Sequence, residues 1–275
     1  MLCLKKLVVL AGAILLSMQV THAQIYREVF GNNTAGNNLL STVGWSGAWG
    51  PTATDSAGGG MIANNFGVSA SLGSPQNLEN INAGGPSLSQ ANGLLFTSGG
   101  TAATMNWIAY TTGYTVDTTA NPIQDISFYA GSTVNGANGI PGFRIAVQID
   151  GNWYASSAVL ANPVSVSSAA NFHNAPGGSS GGAQQVTFNW TTAASAWDSL
   201  TFVPGTSLVL GSTLVSDLPG DNITAFGLYS DQLTGTGATR RFDTFQMDTI
   251  PEPSSVVLAL SGVGVLMGLR RLRKA

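Results

Sequence analysis

The chain has 275 residues, of which 44% are hydrophobic and only 8% charged, against about 25% charged in an ordinary soluble domain. Its surface must be made polar by Ser, Thr, Asn and Gly, and a formal net charge of −3 gives no basic footprint for nucleic acid. With 35 glycines and 11 prolines it stays below the level of a low-complexity chain, and neither a coiled coil nor a polytopic membrane protein fits it.

In residues 1–23, Lys5 and Lys6 precede an apolar stretch from Leu7 to Leu16, and Thr21-His22-Ala23 places small residues three and one positions before a cut. This is the layout of a secretory signal peptide; a retained anchor is the alternative, for which the apolar run is short. Cleavage after Ala23 makes Gln24 the new N-terminus and discards Cys3, the only cysteine. The exported chain then has no thiol, which excludes a disulfide framework, a Cys zinc site and a cysteine nucleophile.

From 24 onward, short apolar and β-branched runs alternate with Gly, Asn, Pro and Ser clusters, the pattern of an all-β sandwich or barrel. Strands are predicted at 25–30, 61–69, 94–97, 105–111, 123–130, 143–149, 152–159, 185–190, 199–203, 207–210, 223–229 and 241–248. The clearest hairpin joins 143–149 to 152–155 through Asp150-Gly151, a dipeptide suited to a type I′ turn. Phe143, Ile145, Val147 and Ile149 then fall on one core-facing side. Glycine-rich stretches at 31–38, 44–60, 82–92, 132–142 and 171–183 read as loops, and none has the strand-to-helix context of a nucleotide cradle. The expected fold is one β-sandwich of jelly-roll, lectin-like type over 24–248.

Between residues 24 and 250, 4 arginines stand against 12 acids with no lysine, a net charge of −8, so nucleic acid and anionic membranes are disfavoured as partners. His173 is the only imidazole there, and no Gly-x-Ser-x-Gly elbow accompanies it, so it reads as a solvated loop residue. Glycoside hydrolysis would need a carboxyl pair; the sequence offers aspartates but does not pair them. Calcium is the best cation, since the available ligands are hard oxygens. Asp217, Asp221, Asp231 and Asp243 are the candidate ligands, with Asp243 expected to share a strand face with Phe245 and Met247; the alternative is that they are turn and sheet-edge residues. Trp45 and Trp49, set among glycines, are candidates for a sugar-stacking platform, against a hydrophobic plug over a sheet edge. Trp107, Trp153 and Trp190 are expected in the core.

The C-terminal end reads Pro251-Glu252-Pro253, an uncharged stretch over 254–269, and a basic end over 270–274 containing Arg270, Arg271 and Arg273. Sixteen residues reach about 24 Å as a helix, slightly short of a hydrocarbon core of about 30 Å, a gap that snorkelling arginines close. The basic end should stay on the cytoplasmic side. In this order the region 249–275 resembles a PEP-CTERM sorting signal of Gram-negative bacteria. That resemblance implies recognition by an exosortase-type membrane protease, transient anchoring in the inner membrane, removal of the tail near Pro251–Pro253, and delivery to the cell surface or exopolysaccharide matrix; a plain single-span anchor is the alternative. The segments 223–231 and 241–247 resemble, more weakly, the last strands of jelly-roll ectodomains found on proteins with such tails. The expected role is non-catalytic, structural or carbohydrate-associating. The rivals are a ligand-free matrix protein and a secreted polysaccharide hydrolase using an Asp pair.

Overall fold

The computed structural model describes residues 23–28, 30, 37–38, 40–49, 54–55, 66–69, 94–98, 106–133, 143–160, 184–220, 222–230 and 239–250. Sixteen strands run through them: β1 Ala23–Glu28, β2 Asn37–Asn38, β3 Ser46–Trp49, β4 Thr54–Asp55, β5 Phe66–Ser69, β6 Leu94–Ser98, β7 Trp107–Thr111 and β8 Val116–Asp117, then β9 Ile123–Thr133, β10 Arg144–Ile149, β11 Asn152–Ser156, β12 Gln184–Asn189, β13 Trp197–Val203, β14 Ser207–Thr213, β15 Asn222–Ser230 and β16 Thr239–Thr249. All twelve predicted strands overlap these. The other four, β2, β3, β4 and β8, are two to four residues long, too short for a period of two to register. Three of them fall inside stretches read from the sequence as loops. The described helical residues form only the 3-10 turns Leu40–Val43 and Ala194–Ala196, and no described helix is long and apolar enough to cross a membrane. Of the expected leader all but Ala23, and of the expected sorting tail everything from Pro251, lie outside the described residues.

The strands form two antiparallel sheets. One has seven strands in the order β12-β9-β16-β6-β5-β2, with β1 also on β16; the other has nine in the order β14-β13-β11-β10-β15-β7-β3-β4, with β8 also on β15. Their facing sides share one core, crossed by aromatic pairs. Phe143 of the chain entering β10 meets Phe242 of β16 edge-to-face at 4.6 Å, and Phe226 of β15 stacks on Phe245 of β16 at 5.9 Å. The hairpin forms as the sequence predicts: Asp150 and Gly151 have φ of 51° and 79°, and Phe143, Ile145, Val147 and Ile149 are all buried in this core.

The nine-stranded sheet is buried on its second face as well. Ile108, Ala146, Trp153, Leu200, Phe202, Leu208 and Tyr229 form a separate apolar cluster there. Members of strands far apart in the sheet order touch: Tyr110 of β7 meets Phe202 of β13 at 5.2 Å, and Asn106 Nδ2 donates to the Leu208 carbonyl of β14 at 3.0 Å. Such contacts require the sheet to curl into a half-barrel, so its concave side is a second interior. Gly227 sits at the crease, paired with Ala146 on one side and Tyr110 on the other. A Cβ there would fall on the Ala109 carbonyl oxygen and the Tyr110 Cα, which only a glycine avoids. Gly227→Ala should therefore lower stability by about 3 kcal/mol or more, above the usual overpacking cost, as read by urea unfolding.

Candidate functional site

The strand that begins the body carries its aromatic hub. Tyr26 of β1 lies edge-to-face against Phe226 at 4.6 Å and Tyr114 at 4.7 Å. Its hydroxyl accepts from Trp45 Nε1 at 2.8 Å. Trp45 is itself 1% exposed and packs on Phe30 and Phe245 at 5.0 and 5.4 Å. The glycine neighbours of Trp45 do not leave it at the surface; its ring is core, and a sugar-stacking role for it is corrected on that ground. Trp49 belongs to β3, its backbone opposite Trp107, while its side chain lies outside the described residues. Trp107 and Trp153 are buried and Trp190 partly buried, packed against Trp197 at 5.3 Å, in line with the core expectation.

The aspartates expected to share a cation are not brought together where they are described. Asp217 Oδ1 accepts from the Ala194 backbone N–H at 2.9 Å, on the side of the nine-stranded sheet. Asp243 lies in β16 of the other sheet, opposite Tyr129. Asp221 and Asp231 fall outside the described residues. The expected alternation of Asp243 with Phe245 and Met247 is broken by a bulge at Thr244, whose φ of 50° is unusual for a β-branched residue. Asp243 Oδ1 accepts the Thr244 N–H at 2.6 Å and its hydroxyl at 3.2 Å, holding that conformation. The bulge turns Phe245 and Met247 into the shared core and leaves Asp243 facing the other way, buried beside Tyr129. Among the described residues no three His, Cys, Asp or Glu side chains are grouped so as to hold a metal.

Two other constellations emerge that no sequence signal announced. On the concave side of the nine-stranded sheet, Tyr110, Trp153 and Phe202 form a mutually edge-to-face trio at 5.2 to 5.4 Å. Tyr110 is half-buried, and Gln148, directly opposite Trp153, accepts the Thr224 hydroxyl at 2.9 Å. Rings beside an amide and a hydroxyl are the chemistry that receives sugars. On the same face, Arg144 Nη1 donates to the Ser156 and Ser157 carbonyls at 2.7 and 2.8 Å and meets Asp198 Oδ2 at 3.2 Å. Asp198 Oδ1 accepts the Ser157 and Thr213 hydroxyls. This knot joins four strands and is structural in kind.

The second constellation lies where the body begins and ends. Ala23 and Gln24, the residues flanking the expected leader cut, pair in β1 with Thr249 and Asp248 of β16, and Asp248 in turn faces Asp125 of β9. Gln246 Nε2 donates to both Asp248 oxygens, at 2.9 and 2.7 Å. Like-sign neighbours on different strands cannot be paired from sequence, which is why this carboxylate pair was invisible there. The expected sorting residues Pro251, Glu252, Pro253, Arg270, Arg271 and Arg273 lie outside the described residues.

No family model matches the chain, and no curated protein matches it. Solved structures with a partial likeness include an arabinose-bound α-L-arabinofuranosidase, at 12% identity and a TM-score of 0.37, where the match covers 83% of this chain and 26% of that one. A xylan-binding domain from Paenibacillus barcinonensis matches at 14% identity and a TM-score of 0.32, over 85% of this chain and 99% of its own. A carbohydrate esterase of a Shiga toxin-encoding bacteriophage matches at 9% identity and 0.33, over 84% and 100%. This chain thus spans about a quarter of the arabinofuranosidase's length.

The hub has a pH signature. Burial, opposed by the bond from Trp45, pushes the Tyr26 hydroxyl well above the ordinary tyrosine range. The folded state then keeps a proton that the unfolded chain loses above about pH 10, so this contribution is intact below pH 10 and is lost progressively as pH rises beyond it. Tyr26→Phe should flatten the fall of stability above pH 10, as followed by denaturant unfolding at stepped pH. The flattening should be partial, because burial shifts Tyr154 in the same direction.

Proposed function

We propose that this protein is an exported component of a bacterial cell surface or exopolysaccharide matrix: led out by residues 1–23, folded as a single jelly-roll-type β-sandwich, and sorted through the tail at 249–275 by an exosortase-type protease. The observation that carries this reading is which strands meet beside the two expected targeting segments. Ala23 and Gln24 of β1, which flank the expected leader cut, pair with Thr249 and Asp248 of β16, and the Ile250 N–H donates to the Pro122 carbonyl at 2.9 Å. The two targeting segments would thus attach to one edge of the body, on paired strands. That arrangement suits a domain held at a membrane by its ends and then released.

The role proposed for the body is non-catalytic, structural or carbohydrate-associating. Support for carbohydrate comes from the half-buried Tyr110 against Trp153 and Phe202, with the Gln148 amide opposite Trp153. The hydrolase alternative gains a facing pair in Asp125 and Asp248, but Asp248 is 8% exposed with both oxygens accepting from Gln246. That leaves a sugar ring little approach to it.

Replacing Pro251-Glu252-Pro253 by alanines should leave the protein unprocessed in the inner membrane, as read by fractionation and intact mass; release at the normal mass would refute the sorting reading. Calorimetric titration of the exported protein with exopolysaccharide from its own host should give saturable heat, weakened about tenfold by Tyr110→Ala, the loss of roughly 1.4 kcal/mol. Absence of heat in calcium and in chelator would leave the ligand-free matrix role.

A further inference from the structure

Both sheets end in strands with an open side, and most of these ends are guarded against stray pairing by shortness, charge or a bulge. β2 and β4 are two residues long. β1 carries Arg27, Glu28 and a register shift between Gln24 and Tyr26. β14 meets a register shift between Asp198 and Leu200 of β13, and its Leu208 carbonyl takes the bond from Asn106. β12 is the exception. It pairs with β9 from Gln184↔Ala130 to Asn189↔Asp125 with no shift, it has no proline, and no Asp, Glu, Lys or Arg stands between Asp150 and Asp198. Among the described residues no strand pairs with its other side.

Which groups point out of that side follows from one bond. The Trp190 N–H donates to the Gln124 carbonyl at 3.0 Å, directly after the last ladder pair, and residues of an antiparallel pair bond inward and outward by turns. Val186 and Phe188 therefore bond β9 through N–H and C=O, whereas those groups of Gln185, Thr187 and Asn189 point away from the sheet. The side chains of Gln185, Thr187 and Asn189 are exposed, and those of Val186 and Phe188 belong to the core.

We infer that this edge is completed by β12 of a second copy of the chain, antiparallel about a two-fold axis at Thr187. In that register the strand is its own complement. Thr187 meets Thr187, Gln185 meets Asn189 of the other copy on either side, and each pair exchanges both backbone bonds, about six in all. Amide lies opposite amide and hydroxyl opposite hydroxyl. On the core side Val186 falls opposite Phe188, a β-branched and aromatic pair of the favourable kind. Charge singles out the same edge: residues 24–250 have a net charge of −8, so two copies approach best where the meeting surface is uncharged. The nearest charge across the ladder is Asp125, one strand in. Identical strands on a two-fold give a closed dimer and not a filament. The inference stands independently of the export reading.

The full chain, expressed with its own leader and purified in mild detergent, is tested by sedimentation equilibrium. A dimer is expected with a dissociation constant on the order of 10 μM, as suits a small interface. Thr187→Pro removes an N–H that faces away from β9, where an edge strand tolerates proline, and should weaken the dimer about tenfold or more. Thr187→Lys sets like charges opposite one another and should do the same. Thermal melts confirm that each variant is folded, and the lysine variant decides if the proline variant is not. Val209→Lys, at an exposed valine of β14, should leave the dimer unchanged. On oxidation Thr187→Cys should form a disulfide-linked dimer beyond any seen in the wild type, and Gln185→Cys, which faces Asn189, should not. A wild-type chain that stays monomeric at about 100 μM overturns the inference. So does a dimer that the folded Thr187 variants leave intact, or one that Gln185→Cys locks and Thr187→Cys does not.

Discussion

The last strand of the body lies in the interior of its sheet. β16 pairs along one side with β9, and along the other first with β6 over Thr239–Phe242 and then with β1 over Phe245–Thr249. The change of partner falls at Thr244, and the bulge there is what allows one strand to serve two neighbours in succession while keeping Phe242, Phe245 and Met247 in the core. Because β1 brings Tyr26 into the same core, neither the hydrophobic interior nor the seven-stranded ladder is complete until the first and last strands of the body have met. The entropy of closing so long a loop precedes the contacts that reward it.

The second constraint is the curl of the nine-stranded sheet, which gives it two interiors. A sheet buried on both faces can read as a continuous apolar run, but β10, Arg-Ile-Ala-Val-Gln-Ile, keeps its alternation, with Ile145, Val147 and Ile149 in the shared core and Ala146 in the concave cluster. Burial on both faces also leaves little room for charge. Arg144 and Asp198, the ion pair of the concave side, are 10% and 11% exposed at their side chains and are tied to two carbonyls and two hydroxyls. Removing one partner of such a pair typically costs about 3–5 kcal/mol.

What the sequence made legible was local. The Asp150-Gly151 turn follows from the two positive φ angles that the dipeptide tolerates, and the four apolar positions before it follow from a period of two; both signals act within a dozen residues. Twelve strands could be placed for the same reason. Trp45 could not, because its burial depends on Tyr26 nineteen residues away and on Phe245 two hundred residues away, while its glycine neighbours pointed to the surface. Asp243 was misassigned to the core-facing side because a single bulged residue reverses every side chain on one side of it relative to the other. The curl was illegible altogether, since Gly227 looks like any other strand glycine until Ala109 and Tyr110 are seen against it.

The same distinction explains the candidate sites. A linear string such as Pro251-Glu252-Pro253 is legible because reading it needs no partner strand. A constellation made by register, such as Gln24, Asp248 and Asp125, exists only after three strands separated by most of the chain have paired. Between residues 24 and 250 four arginines stand against twelve acids with no lysine, a count the sequence gives outright, whereas the placing of Asp248 opposite Asp125 needs the sheet. Where a protein has so little charge, the position of each one is informative.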